Sequence, residues 1–391
     1  MKMIEVSPMM TTKHKNARNI TPFLKQTDIF VSGKEGYRTY RIPAIVVSTK
    51  GTILAFCEGR KYGSGDAGKI DIMLKRSFNG GVTWENMQVI VAEEDMTCGN
   101  PCPLVNNSTG TILLPFCKNL GDVGEEKIME GKGPRTVWIT KSTDDGADWS
   151  EPVDITADVK EPSWTWYATG PGHGIQLKSG RLVIPCDHVK GKYFSREKDP
   201  MYSHIIYSDD HGDHWKLGES VGPHMNECAV IQTYGGSLYL NMRNYHPNYR
   251  YVRAYAWSKD LGVTWSEMKF DSTLIEPICQ ASIIRFTDKD SHDKNRVLFS
   301  NPASQEKRVK MTVCLSYDEC QTWSLSKLLY PGPSAYSDLA IALDMTICCL
   351  YERGEKNPYE KITFANFNIE WLTDGADHLN PSMKIPDLQN R

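Results

Sequence analysis

Cys98 and Cys102, in the run MTCGNPCP, stand close enough together to open a zinc site. A structural zinc site usually draws its thiolate and imidazole ligands as two close pairs. No second Cys/His pair follows at such a spacing. The chain carries 11 cysteines, an odd number, and Cys57, Cys186, Cys314, Cys348 and Cys349 lie inside apolar runs. A free cysteine in such a run behaves as a small buried hydrophobe. The pattern predicts no metal centre, no cofactor and no disulfide framework, and a reduced, cytoplasmic type of interior.

A second group of polar side chains recurs. SFNGGVTW occupies Ser77–Trp84, STDDGADW Ser142–Trp149, SDDHGDHW Ser208–Trp215, SKDLGVTW Ser258–Trp265 and SYDECQTW Ser316–Trp323. Each has Ser first, Asp or Asn third and Trp eighth, with Gly fifth in all but the last, where Cys320 stands. The starts lie 65, 66, 50 and 58 residues apart. The carboxylates and His211 and His214 within these boxes read as turn and surface residues: Asp or Asn hydrogen-bonds nearby backbone, and Gly supplies a positive φ. Cys320 breaks the glycine rule, which questions the geometry of the fifth turn.

The elements around the boxes are strands. Short alternating runs precede the copies (TVWITKS, HIIYSDD, AYAWSKD, MTVCLSYD), and GTILAFCEG, GTILLPFC, GRLVIPC, GSLYLNMR and RVLFSNP fill the intervals. Several strands per unit at a period of 50–66 residues suggest a propeller blade. The expected fold is all-β, a six-bladed propeller of four-stranded antiparallel sheets over residues 29–373, with a polar arm at 1–28 and a loosely ordered tail at 374–391.

Composition narrows the partners. The formal net charge is −3 with both signs interspersed, which argues against nucleic acid, where a clustered basic face is the usual footprint. No stretch approaches the ~20 apolar residues that span a bilayer; the best, Leu339 to Tyr351, is interrupted by Asp344. MKMIEVSPMMTTKHKN has no apolar segment of the secretory type, so a cytoplasmic location is expected, or a secreted or periplasmic one if a leader precedes it.

The repeated octapeptide resembles the Asp box of the sialidase superfamily, and Tyr40-Arg41-Ile42-Pro43 resembles that family's F/Y-R-I-P motif. The likeness runs from about Ile29 to Leu372. It implies a retaining exo-α-sialidase acting on sialylated oligosaccharides, glycoproteins and glycolipids. By the same likeness Arg41, Arg243 and Arg308 form a triad for the substrate carboxylate, with Arg285 an alternative to Arg308. Arginine suits that task because its planar fork binds carboxylates bidentately and stays charged. Tyr336 in SAYSDL resembles the nucleophile and Glu227 in HMNECAV its partner; a neutral phenol avoids driving a second carboxylate against the substrate's own. Asp66, in the glycine-rich run EGRKYGSGDAGKID, matches the general acid.

Around these, Glu58 is expected to anchor Arg41 or Arg60, and Arg60 to touch the substrate. Asn100 and Glu125 are expected to line the ring-side or N-acyl pocket. Trp164, Trp166 and Tyr167 suit either an aglycone floor or the core. Cys186, Asp187 and His188 stand where certain animal members carry a tyrosine pair, so contacts to the glycerol tail of the sugar are expected to differ. Three other readings compete: a trans-sialidase or intramolecular variant using the same residues, a non-catalytic glycan-binding propeller, and an Asp-box hydrolase of neutral glucans. The last would have no need of three arginines.

Overall fold

The computed structural model describes residues 21–192 and 201–382. Its strands form six antiparallel blades. Blade 1 holds Thr39–Val47, Ile53–Arg60, Ile70–Ser77 and Gln88–Val91; blade 2 holds Met96–Gly99 with Leu104–Val105, then Ile112–Leu120, Thr136–Ser142 and Val153–Asp154. Blade 3 runs through Trp164–Thr169 with Ile175–Gln176, Leu182–Lys190, Met201–Ser208 and Lys216–Leu217, and blade 4 through Met225–Gln232, Leu238–Asn244, Val252–Ser258 and Lys269–Ile275. Blade 5 contains Ser282–Thr287, Arg296–Pro302 and Val309–Ser316. It ends on the first half of the long strand Leu325–Ile341, whose second half is the innermost strand of blade 6. Ile347–Arg353 and Lys361–Phe367 follow, and Leu24–Val31 from the chain start completes that sheet by pairing with Lys361–Phe367.

The apolar core is divided among the six junctions between blades. Ile45, Met73, Leu350 and Phe364 pack between blades 1 and 6, Phe56, Leu74, Leu114 and Phe116 between 1 and 2, and Leu113, Val137, Ile184 and Ile206 between 2 and 3. Equivalent clusters join 3 to 4, 4 to 5 and 5 to 6. Burial of apolar surface at ~25 cal/mol per Å² makes these junctions the main support of the ring.

The Asp boxes connect the third and fourth strands of blades 1 to 5 and lock each blade to the one before it. In every box the serine Oγ accepts from the backbone N–H of the fifth residue (2.8–3.0 Å). The third residue accepts from the backbone N–H of the seventh (2.9–3.0 Å). The glycine is required by the neighbour: a Cβ at Gly81 would lie 2.1 Å from Phe364 of blade 6, and one at Gly262 2.1 Å from Ile205 of blade 3. The tryptophans enter the same junctions. Cys320 keeps the turn, with φ +65° and the same bond to Ser316 Oγ; its thiol fills the junction of blades 4 and 5. His211 and His214 are exposed.

Two expected boundaries are corrected. Leu24–Val31 is a strand of blade 6, not an arm. Its polar character belongs to an outer edge, where Asp28 accepts from Thr363, Lys361 and Arg353. Residues 374–382 are docked, not loose. Asp377 is buried and pairs with the fully buried Arg296 (2.7 and 2.8 Å), Lys294 and Tyr317, because a guanidinium inside the fold needs a carboxylate. Residues 1–20 and 383–391 lie outside the described residues. Among the described residues no helix is long and apolar enough to cross a membrane.

Candidate active site

One mouth of the ring holds a polar cavity of about 260 Å³, lined by five arginines (Arg41, Arg60, Arg135, Arg243, Arg308) and five carboxyls (Glu58, Asp66, Glu125, Asp187, Glu227). It is smaller than the roughly 300–1,000 Å³ of drug-sized ligand sites. The inner strands deliver its side chains at places where their ladders break. Register shifts fall between Arg41 and Ala44, between Met225 and Cys228, and between Ser334 and Ser337. An extra residue in one strand re-aims its side chains, and these bulges carry Arg41, Glu227 and Tyr336.

Tyr336 is buried, and its hydroxyl donates to Glu227 Oε1 at 2.5 Å. Arg243 Nη1 donates to Glu227 Oε2 (2.6 Å) and to the Tyr336 oxygen (3.1 Å); its Nη2 donates to Tyr245 Oη at 2.5 Å. Burial first, then the charge of Glu227, pushes the phenol well above its ordinary value, while Arg243 and Arg308 oppose them. Tyr336 is therefore neutral at rest, with its proton already directed at a carboxylate.

Arg41 is held from behind by Glu352, whose Oε1 accepts from Arg41 Nε (3.0 Å) and Ile42 N (2.9 Å). Glu352 Oε2 accepts from Arg41 Nη2 (3.4 Å) and Tyr336 N (3.1 Å). This fully buried carboxylate thus ties the first arginine to the tyrosine backbone. Arg308 donates to Tyr359 Oη at 2.9 Å, and its guanidinium lies 5.4 Å from the Tyr336 ring centre. Arg285 is elsewhere: it pairs with Glu319 and lines an apolar cavity at the other mouth. Glu58 anchors Arg60 (2.6 and 2.9 Å), not Arg41, and also receives Asn100 N (2.8 Å).

Asp66 sits at the rim, more than half exposed, 2.8 Å from Arg60 Nη1 and 3.5 Å from Arg41 Nη1. Burial raises its pKa, but the charges of Arg60 and then Arg41 outweigh that and hold the carboxyl below its usual range. Asn100 takes Arg135 Nη2 on its side-chain oxygen at 2.5 Å. Arg135 also lies over the Trp166 ring at 4.1 Å. Trp164 and Tyr167 belong to the core between blades 2 and 3, whereas Trp166 lines the cavity.

The structure thus brings together all ten residues expected from the sequence: Arg41, Glu58, Arg60, Asp66, Asn100, Glu125, Glu227, Arg243, Arg308 and Tyr336. It adds Arg135, Asp187, Asn226, Tyr245 and Tyr359 to the lining, and Glu352 behind it. For Glu352 the sequence signal is a charge near the end of an apolar run, ICCLYER, and for Asp187 it is the departure from a family tyrosine pair.

The fold and site define an Asp-box propeller with an arginine-rich mouth. The model of the BNR repeat-like domain matches residues 51–348. The sialidase of Micromonospora viridifaciens is 34% identical over 90% of this chain and 55% of its own length. An exo-alpha-sialidase of Aspergillus fumigatus is 31% identical over 88% of this chain and 87% of its own, and sialidase-3 of Mus musculus 31% over 93% and 99%. The chain spans less than two thirds of the Micromonospora relative and of a Bacteroides fragilis sialidase, of which it covers 61%. Among solved structures, the Hadza microbial sialidase Hz136 superposes with a TM-score of 0.78 at 30% identity, over 89% of this chain and 69% of that one. The chain belongs to the sialidase superfamily.

Proposed function

We propose that this chain is an exo-α-sialidase that releases terminal sialic acid from glycoconjugates with retention, using Tyr336 as nucleophile. The observation that carries this reading is the 2.5 Å bond from Tyr336 to Glu227 at a mouth shared with Arg41, Arg243 and Arg308. The three guanidiniums bind the sugar carboxylate. The Tyr336 oxygen then bonds to the anomeric carbon as the bond to the leaving oxygen breaks; the phenol proton passes to Glu227 and the leaving oxygen takes a proton from Asp66. In the second half a water attacks the same carbon and gives its proton to Asp66. The tyrosyl bond breaks and Tyr336 recovers its proton from Glu227.

The depressed pKa of Asp66 is consistent with this role. A substrate carboxylate on Arg41 competes with Asp66 for that cation and adds a negative charge nearby. Both changes raise the Asp66 pKa when an acid is needed. The eleven free, buried cysteines support a reducing location.

The test is release of fluorophore from an α-sialoside by the wild type and by Tyr336→Phe, with NMR of the first-formed sugar. Retention and loss of turnover in the variant support the reading; inversion, or full activity in the variant, refutes it. A 2,7-anhydro product would move the assignment to intramolecular transfer.

A further inference from the structure

The wall of the cavity formed by blades 3 and 4 holds a pair of side chains that the mechanism does not use. Asn226 lies on the same bulge as Glu227 and lines the cavity. Its side-chain Nδ2 donates to Asp187 Oδ2 at 2.8 Å, and its backbone carbonyl receives Ser203 Oγ at 2.5 Å. Nδ2 is therefore turned into the protein. The amide oxygen has no donor among the described residues and is not sealed from the cavity that Asn226 lines. Five arginines make this cavity rich in donors; an uncharged acceptor left open in it is suited to an O–H or N–H of the ligand.

Asp187 itself is buried, on the strand Leu182–Lys190, between Ala168 and Ser203 of its neighbours. Its Oδ1 is sealed and has no partner. Burial, then Glu227, then Glu125 push its carboxyl well above the usual range, against Arg243 and Arg135. A neutral acid there supplies an acceptor for Asn226 without setting another anion beside Glu227.

We propose that Asn226 is a specificity-determining residue of this site, accepting a hydrogen bond from an O–H or N–H of the bound sugar, and that Asp187 is the positioning residue that turns its amide oxygen toward the cavity. The inference rests on the sialidase reading. Sialic acid offers three sources of such a donor, its 4-hydroxyl, its trihydroxypropyl side chain and its 5-acylamino N–H.

The experiment measures kcat and KM for wild type, Asn226→Leu, Asp187→Leu and Asp187→Asn on four fluorogenic sialosides: the parent, its 4-deoxy analogue, one without the trihydroxypropyl side chain, and one lacking the 5-acylamino group. Thermal unfolding identifies any variant that fails to fold. Asn226→Leu should raise KM for the parent by about tenfold, the worth of one hydrogen bond, with kcat changed much less. On the analogue that lacks the relevant donor, wild type and Asn226→Leu should be equal, and which analogue this is identifies the donor. Asp187→Leu should follow Asn226→Leu, and Asp187→Asn, which keeps an acceptor, should stay near wild type. If Asn226→Leu lowers kcat/KM by one factor on all four sugars, or leaves it unchanged, the assignment is wrong. If Asp187→Leu does not fold, failure of folded Asp187→Asn to match wild type overturns the positioning role. A wild type that neither cleaves nor binds the parent sugar removes the sialidase reading and this inference with it; cleavage with indifferent variants removes only this one.

Discussion

Replacing Glu352 by Ala should damage the fold more than loss of any side chain that faces the open cavity. Glu352 is fully buried and accepts four hydrogen bonds, two from Arg41 and one each from the backbone N–H groups of Ile42 and Tyr336. Removing one partner of a buried ion pair costs about 3–5 kcal/mol, and each buried N–H left unpaired about 1–3 kcal/mol. At the low end of each range the loss is about 5 kcal/mol, with some relief where Arg41 turns toward Asp66. Domains of ordinary stability have only about 5–15 kcal/mol in total. Ile42 adds to the expectation, because it holds φ +59°, a conformation that a β-branched residue keeps only when its surroundings enforce it.

Urea unfolding followed by tryptophan fluorescence is the assay, with Glu352→Gln beside Glu352→Ala. The alanine variant should unfold at a far lower midpoint or not accumulate folded. The amide variant should lie between, since it keeps one acceptor oxygen and loses the charge. A stability for Glu352→Ala within about 0.5 kcal/mol of wild type, the range of an ordinary surface change, would refute the reasoning about this buried carboxylate.

Asp66 gives a pH test. Its pKa is depressed in the free site and should rise in the complex, so the alkaline limb of kcat/KM should fall at lower pH than that of kcat; coincident limbs would contradict the proposed competition for Arg41. His188 and His204 share a bond between their Nδ1 atoms at 2.9 Å, and Trp164 stacks on His188. Burial depresses both, His204 to about 3. Their contribution is therefore complete above the unfolded value near 6.5 and lost as pH falls toward the folded values, at up to about 1.4 kcal/mol per pH unit for each. Unfolding free energy should drop between pH 6.5 and 5, and a flat profile there would count against neutral histidines. Gly81→Ala should cost about 2–4 kcal/mol in chemical denaturation, from a positive φ and a methyl driven into Phe364; Gly80→Ala, with φ +69° but open space around its Cβ, should cost clearly less.

The repeat was legible because each box is a complete local device whose turn bonds join residues at most four apart. The number of blades needed more, since the sixth has no box and borrows its outer strand from Leu24–Val31, more than 300 residues from its partner Lys361–Phe367. Its alternating polar residues read as an arm because one edge of the strand is solvated. Within the site, Arg41, Asp66, Glu227 and Tyr336 were readable from local motifs. Glu352 and Arg135 were not, and Asp187 was marked only as a departure from a family tyrosine pair, because each acts through residues of other segments: Glu352 meets Arg41 across 311 positions and Asp187 meets Asn226 across 39.

The same contrast explains why the chemistry sits where it does. Farther along, the inner strands keep regular ladders, Ala44–Val47 against Ile53–Phe56 in blade 1 and Ser337–Ile341 against Ile347–Tyr351 in blade 6, and these segments are largely buried. A regular strand sends alternate side chains to opposite faces, toward the blades on either side, and leaves none for the mouth. A bulge is what frees a residue from that alternation, and it costs ladder bonds and backbone strain of about 1–3 kcal/mol per outlier. Ile42, Asn100 and Ile278, all with positive φ, flank the cavity. In YRIP the proline follows the strained isoleucine, and lacking an N–H it leaves no donor unpaired where the ladder breaks. Burial of apolar side chains in the junctions between blades offsets that strain.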